Sequence, residues 1–229
     1  MNKMSPKSKN TNNPNQIWIY GRHPIISILR NNQRSIFKIV VTKNNEQELY
    51  KILKDNSISP KTIEIEISTS DKISSTFGDQ KVVHQGFAIL CSKRHFISDN
   101  EFLASLKDKN LRNIIILDQL TDPHNIGAII RSASAFGVVD VIIPKQHFHG
   151  ETATIHKSSV GAIENINLIL AGNINNLIAK LKDMNYWVLG LAGEGKSDLS
   201  EIRNYDNICL IIGSEGDGIR HQVKKNCDL

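Results

Sequence analysis

Apolar and polar positions change rhythm along this chain, and the change divides it. After a short strand or turn at Ile17–Tyr20 and a glycine at 21, apolar residues at Ile25, Ile26, Ile28 and Leu29 follow helical spacing. Ile36–Thr42 is rich in β-branched residues and predicts a strand, and Leu49, Ile52 and Leu53 mark one face of an amphipathic helix. Ile63–Ile67 alternates strictly, the pattern of a strand with one wet face. A further helix or loop leads to the apolar run Phe87–Leu90. These elements predict a small α/β domain over residues 16–91.

Residues 92–112 are more charged, with a helical patch at Glu101–Leu106, and read as a linker with a lead-in helix. From Asn113 strand and helix alternate. Strands are predicted at Ile114–Leu117, Val138–Ile143, Trp187–Ala192 and Ile208–Ile212, with helices at Ile126–Phe136 and Ile174–Met184. Continuous apolar strands are those buried on both faces, so residues 113–229 predict an α/β domain with a parallel sheet flanked by helices. Residues 1–15 are polar, rich in Asn, Lys and Pro, and are expected to be a disordered basic tail.

Composition narrows the partners only slightly. The 229 residues carry a net charge of +5, scattered along the chain, which favours nucleic acid mildly. No apolar run approaches the roughly 18 to 20 residues of a membrane span, and no secretory segment opens the chain. The 3 cysteines lack metal-ligand spacing and suit a cytoplasmic protein with reduced thiols. His147-Phe148-His149 has no Cys, Asp or Glu at ligand spacing and reads as exposed loop histidines, so no metal is expected.

The chemistry concentrates where strands run into loops. Ligands of open parallel sheets sit beyond the carboxyl ends of the strands. After Ile-Leu-Asp comes QLTDPHNIGAIIRSA, in which Asp122-Pro123 signals a turn and Asn125 is the expected helix cap. Arg131 follows six residues later among small and apolar neighbours. It reads either as a surface ion pair or as a planar cation near a packed surface, suited to holding phosphate. Gly213-Ser214-Glu215-Gly216 directly follows an apolar strand, with Gly218 beyond. Such glycines form an ordinary turn or bare backbone groups to a ligand. Leu191-Ala192-Gly193 follows another strand, so ligand-facing loops are expected to converge. Neither the phosphate loop ending in Gly-Lys-Ser/Thr nor the dinucleotide fingerprint is present. Arg22, Arg30, Arg34, Lys38 and Lys43 either track phosphates or form a solvated face.

Asp122-Pro123-His124-Asn125-Ile126-Gly127 with Arg131-Ser132, followed by Ile211-Ile212-Gly213-Ser214-Glu215-Gly216-Asp217-Gly218, resembles the paired motifs of the SpoU/TrmH-type RNA ribose 2′-O-methyltransferases of the SPOUT superfamily. Tyr20-Gly21-Arg22-His23-Pro24 and His84-Gln85-Gly86 resemble signatures of the ribosomal-protein-like RNA-binding domain that precedes it. The resemblance runs from about residue 17 to the last residue. It implies methyl transfer from S-adenosylmethionine to a ribose 2′-hydroxyl, with a guanosine of large-subunit (23S) rRNA as substrate and tRNA as the alternative. Carried over by position, Arg131 takes the catalytic arginine's place, with Asn125 and Glu215 shaping the site. Leu191, Ala192, Gly193, Ile211, Gly213, Ser214 and Gly216 would line the cofactor. Arg22, His23, His84 and Arg131 would meet RNA, although His23 and His84 are equally readable as structural turn histidines.

The family pattern continues with a strand ending Ile-Pro-Met and a Ser-Leu-Asn helix start, beyond Cys227-Asp228-Leu229. The expectation is therefore a SPOUT domain truncated at its C-terminus, with the family's trefoil knot incomplete. Homodimerisation belongs to the full-length family. The alternative class is a catalytically impaired RNA-binding remnant, and a nucleotide-binding oxidoreductase is disfavoured by the missing fingerprint.

Overall fold

A computed structural model describes residues 13–31, 33–78, 82–106, 112–193, 195 and 205–229. In chain order the elements are β1 (Gln16–Tyr20), α1 (Arg22–Arg30), β2 (Ile36–Thr42), α2 (Glu46–Asp55), β3 (Glu64–Ser68), α3 (Ser70–Ser75) and β4 (Phe87–Ser92). They continue as β5 (Ile97–Ser98), α4 (Asp99–Leu106), β6 (Ile114–Leu117), α5 (Pro123–Ala135), β7 (Asp140–Pro144), α6 (Ala153–Ser158) and β8 (Asn167–Ala171). The last are α7 (Ile174–Asp183), β9 (Trp187–Leu191), β10 (Ile208–Ile212) and α8 (His221–Lys224). Two compact units result, one holding the chain up to Arg94 together with residues 151–164, the other residues 95–150 and 165–229. The tail expected over residues 1–15 lies outside the described residues up to position 12.

The first unit is a four-stranded sheet in the order β1-β4-β2-β3, with β4 antiparallel to β1 and β2, and β3 parallel to β2. Strand alternation sends Ile39 and Val41 of β2 to one face, where Ile25, Ile28 and Leu29 of α1 and Leu49, Ile52 and Leu53 of α2 cover them. Val40 faces the other way and packs against Ile73 of α3. β3, an edge strand, follows the expected alternation only in part: Ile65 packs on the core and Glu64 and Glu66 both pair with Lys38 of β2, but Ile67 is exposed.

The expected boundary gave this unit only residues 16–91, yet segment 151–164 belongs to it, and a buried ion network shows why. Arg34 donates through Nη2 to Glu151, and to Glu164 Oε1 at 2.8 Å; its Nη1 donates to the Ser92 carbonyl. His156 Nε2 lies 2.6 Å from Glu151 Oε1, and the Arg94 backbone N–H donates to Glu151 Oε2 at 2.8 Å. Burial drives the Glu151 carboxyl upward, but hydrogen bonds and charge from His156 and Arg34 outweigh it and hold it at about 2. Burial opposes the charge on Arg34 as well, and its two glutamates hold the guanidinium above its ordinary value. Sequence distance hid this pairing: Arg34 is 117 residues from Glu151 and 130 from Glu164. The reading of the basic set as a phosphate track is corrected for Arg34, whose guanidinium is spent inside this network. Arg34 is buried, Arg22 pairs with Glu48, Lys43 with Glu46, and Arg30 donates to Asn56 at 3.3 Å.

The second unit is a six-stranded, wholly parallel sheet in the order β5-β8-β7-β6-β10-β9. Every residue of β6 is buried. Ile114 and Ile116 face Leu177, Ile178 and Leu181 of α7, while Ile115 and Leu117 point to the opposite face and are buried as well. The residues read as linker are structural: β5 pairs with β8, and Phe102, Leu103 and Leu106 of α4 enter the core. β8 was not anticipated. Its Asn-Leu-Ile-Leu-Ala run has neither alternation nor flanking proline, and only pairing beside β7 identifies it as a strand. The final residues lie along the outer edge of β9, where Asp228 N–H donates to the Val188 carbonyl at 2.7 Å and Gly190 N–H to the Leu229 carbonyl at 2.9 Å.

Replacing Arg34 with Ala leaves two buried carboxylates without their main cation and should destabilise the first unit by about 3–5 kcal/mol in urea unfolding. Because the folded Glu151 carboxyl sits at about 2, below its ordinary 4.5, its contribution is fully present above pH ~4.5 and is lost as pH falls towards 2. An acid titration of wild type should show this loss, and Glu151→Gln should flatten it.

Candidate functional site

Parallel pairing aligns three strand ends. Ile212 of β10 stands opposite Leu117 of β6 on one side and Leu191 of β9 on the other. The loops leaving β6, β10 and β9 therefore emerge side by side on the edge where parallel sheets receive ligands. Among the described residues no helix is long and apolar enough to cross a membrane.

The loop after β10 is shaped by its own backbone. Ser214 and Gly218 exchange both N–H···O bonds, each 3.0 Å, closing a neck. Gly213 lies inside that neck, where a Cβ would stand 2.1 Å from the Gly218 carbonyl carbon, a separation no side chain tolerates. Gly218 turns the chain with φ +64°, and Asp217 N–H donates to Ser214 Oγ at 3.3 Å. The glycines thus serve the arch first: the polar backbone of Ser214 and Gly218 is consumed within it, and Glu215, Gly216 and Asp217 stand exposed at its tip. Among the described residues no heavy atom lies within 4 Å of a Cβ built on Gly216 or on Gly193 after β9, and Leu191 is 39% exposed beside them. An open backbone face next to an exposed aliphatic side chain suits a ligand with a flat apolar part and hydrogen-bonding edges.

Asp118, the first residue after β6, ties two of these loops together. Its backbone N–H donates to the Ile212 carbonyl at 2.8 Å, continuing the parallel ladder where the arch begins. Its carboxylate, fully buried, accepts from Arg220 where the arch ends: from the backbone N–H at 2.8 Å, Nε at 2.8 Å and Nη2 at 2.6 Å. The sequence signal was an acid immediately after an all-apolar strand, which demands a partner once buried. That partner is 102 residues away, and no local pattern reveals it.

The residues singled out from the sequence are distributed unequally. Leu191, Ala192, Gly193, Gly213, Ser214, Glu215 and Gly216 fall on the adjacent loops of β9 and β10 or at their strand ends. Ile211 is fully buried within β10 and paired on both sides, with Ile116 of β6 and Gly190 of β9, so it supports the rim from within the sheet rather than facing a ligand. The cap of α5 is Asp122 rather than Asn125. Its side chain accepts from His124 N–H at 2.9 Å while Pro123, which has no N–H to leave unpaired, takes the first turn. Arg131 is exposed and does not lie against a packed surface, because α5 buries Ile126, Gly127, Ile130 and Ala133. Six helical residues separate Arg131 from Asn125, about 9 Å along the axis and a third of a turn off the same face. Among the described residues, no hydrogen bond or ion pair joins Arg131, Asn125 and Glu215.

In the first unit His23 is exposed, whereas His84 is 7% exposed and structural. His84 Nδ1 accepts from Gly86 N–H at 2.9 Å, Nε2 lies 3.2 Å from Ser70 Oγ, and burial, aided by the Lys157 charge, holds the imidazole below its ordinary pKa. Gly86, at φ +78°, presses against Thr42 and Asn45 so closely that a Cβ would meet the Asn45 amide nitrogen at 2.4 Å. The His-Gln-Gly signature therefore builds a turn, and only Gln85 offers its amide outward, accepting from Lys157 Nζ at 2.7 Å.

A two-unit α/β chain with this arrangement of parallel-strand loops is matched over residues 112–229 by the SpoU rRNA Methylase family, and over residues 18–96 by the RNA 2′-O ribose methyltransferase substrate-binding family. A protein of Staphylococcus saprophyticus assigned to the TrmH family of tRNA/rRNA methyltransferases is 33% identical over 218 residues, 93% of this chain and 84% of that protein. Its Staphylococcus epidermidis counterpart is 35% identical over 215 residues, 93% and 84% of the two chains. Among solved structures, the SpoU methyltransferase AviRb of Streptomyces viridochromogenes, crystallised with AdoMet, shares the fold at TM-score 0.67 and 15% identity, over 93% of this chain and 79% of that one. The AdoMet-bound rRNA methyltransferase of Sinorhizobium meliloti does so at TM-score 0.65 and 19% identity, over 93% and 76%. The chain belongs to the SpoU/TrmH family of RNA 2′-O-ribose methyltransferases.

The arch separates two glycines experimentally. Gly213→Ala forces the neck apart and should lower stability by about 2 kcal/mol or more, whereas Gly216→Ala, with open space around it, should stay within about 0.5 kcal/mol of wild type in thermal unfolding.

Proposed function

We propose that this chain binds S-adenosylmethionine across the loops after β9 and β10 and acts on the ribose 2′-hydroxyl of a guanosine in 23S rRNA. The observation that carries this reading is the register placing Leu117, Ile212 and Leu191 abreast, so that three loops form one rim. When bound, the cofactor supplies an electrophilic methyl group whose bond to sulfur breaks as a bond to the 2′-oxygen forms. Leu191, Ala192 and Gly193 would meet its apolar part, and the Gly213–Gly216 tip its polar edges, with Ile211 supporting the rim from inside the sheet. Asn125 and Glu215 would shape the rim towards the ribose.

Arg131 cannot serve as the base, since guanidinium stays protonated in proteins. Its role in this reading is to grip a phosphate beside the reacting ribose and to stabilise charge on the 2′-oxygen, the proton leaving to another acceptor. Arg131 shares an exposed stripe of α5 with Ala128, Ser132, Ala135 and the 86%-exposed Phe136. A face so poor in charge suits a second copy of the chain, which would bring Arg131 into an enclosed site and make the active form a homodimer. Arg22 and His23 of the first unit would contact RNA phosphates and His84 would hold the turn beneath them, in a cytoplasmic enzyme.

Incubation with methyl-labelled S-adenosylmethionine and either 23S rRNA or tRNA tests the reading. Label in a guanosine ribose of 23S rRNA is expected; label in tRNA alone would overturn the substrate assignment. Absence of calorimetric S-adenosylmethionine binding would overturn the reading for these 229 residues and favour the RNA-binding alternative. Arg131→Ala should lower turnover about 10²-fold or more while cofactor affinity stays within about twofold. A single charge on the α5 stripe, Ala135→Glu, should shift the mass measured by light scattering from dimer to monomer.

A further inference from the structure

We infer that Asp118 and Arg220 are a positioning pair, an ion pair that holds the Gly213–Arg220 arch in its ligand-receiving shape and so sets cofactor affinity through the arch. This inference rests on the proposed binding of S-adenosylmethionine at that arch. One residue anchors both ends of the loop: the Asp118 backbone N–H takes the Ile212 carbonyl at the entry, and its carboxylate takes three donors of Arg220 at the exit. Between those anchors the loop's hydrogen bonds among the described residues are the Ser214–Gly218 neck and the Asp217–Ser214 bond, and Ile219 alone packs into the core beside the exit. The side chain of Glu215 at the tip makes no hydrogen bond or ion pair among the described residues, so the tip inherits its position from the anchors.

The chemistry of the pair makes it a demanding clamp. Asp118 is fully buried, and a buried carboxylate that loses its cation pulls towards water and drags the loop with it. Arg220 uses the Nε and Nη2 edge of its fork together with its own backbone N–H, a planar arrangement that a lysine ammonium cannot reproduce. The pair also joins the end of β6 to the end of β10, so the loop leading to Asp122 and Asn125 shares the same anchor. Asp118 and Arg220 thus act by holding the loops rather than by touching the methyl group.

The test uses the full chain and the variants R220Q, R220K and D118N, with S-adenosylmethionine affinity by calorimetry and amide hydrogen exchange at Ser214 and Gly218. R220Q is expected to weaken cofactor binding about tenfold and to speed exchange at both amides, while amides of Ile39 and Val41 in the first unit keep their protection. R220K should recover only part of the loss. Should R220Q fail to fold because it strands the fully buried Asp118 carboxylate, D118N keeps the test alive with the same readouts, since the cation it leaves behind, Arg220, is 32% exposed and turns to water. Unchanged exchange at Ser214 and Gly218 in R220Q would overturn the inference whatever the affinity. If affinity falls while exchange does not, Arg220 touches the ligand itself and the positioning role is overturned. If wild type binds no cofactor, the proposed function fails for this chain, and exchange in R220Q still decides whether the pair holds the arch.

Discussion

The insertion of β10 between β6 and β9 is the constraint from which the site follows. A parallel ladder permits no choice of where loops emerge: pairing Ile212 with both Leu117 and Leu191 puts three exits on one edge. Two of the exits then need shaping, and the structure does this with backbone bonds and one buried acid. The neck between Ser214 and Gly218 closes the arch, and Asp118 fastens both its ends to the sheet. Close packing explains the glycines better than flexibility does, since Gly213 lies where any Cβ would strike the opposing strand of the neck.

A second buried acid–base set shapes the first unit. Arg34 inserts between Glu151 and Glu164 and is itself braced by the Ser92 carbonyl, so each desolvated charge has several partners. His156, Glu151 and Glu164 bring their ligand-type atoms within 4.8 Å of one another, a grouping that resembles a metal centre by composition. In this structure the cation at its middle is the guanidinium. The network makes residues 151–164, which fall in chain order between β7 and β8, a piece of the first unit.

Much of the fold was legible because its elements obey local rules. β2, β6 and β10 stand at the positions their β-branched and apolar runs predicted, and α7 follows from Leu177, Ile178 and Leu181 at helical spacing, capped by Asn173. The candidate loops were legible for the same reason, since glycine and polar residues directly after an apolar strand mark a strand exit. Errors arose where two local rules competed. Asn125 and Asp122 are both competent caps, and Pro123 decided for Asp122 by supplying a first helical residue without an N–H. Arg131 was misjudged because small neighbours in sequence do not report which side of a helix they occupy. His84 shows the converse, a histidine readable as a ligand contact that the structure spends on a turn.

By itself the sequence determined most of the elements, though not β5 or β8, together with the parallel character of the second sheet and the strand-end position of the glycine loops, because hydrophobic periodicity and turn chemistry act over a few residues. The tertiary structure alone decided the strand order, the return of residues 151–164 to the first unit, and the pairing of Asp118 with Arg220 and of Arg34 with its two glutamates. Those choices are long-range: a buried charge declares that it needs a partner, but which cation reaches it depends on how sheets and helices stack, and stacking leaves no periodic trace in the chain.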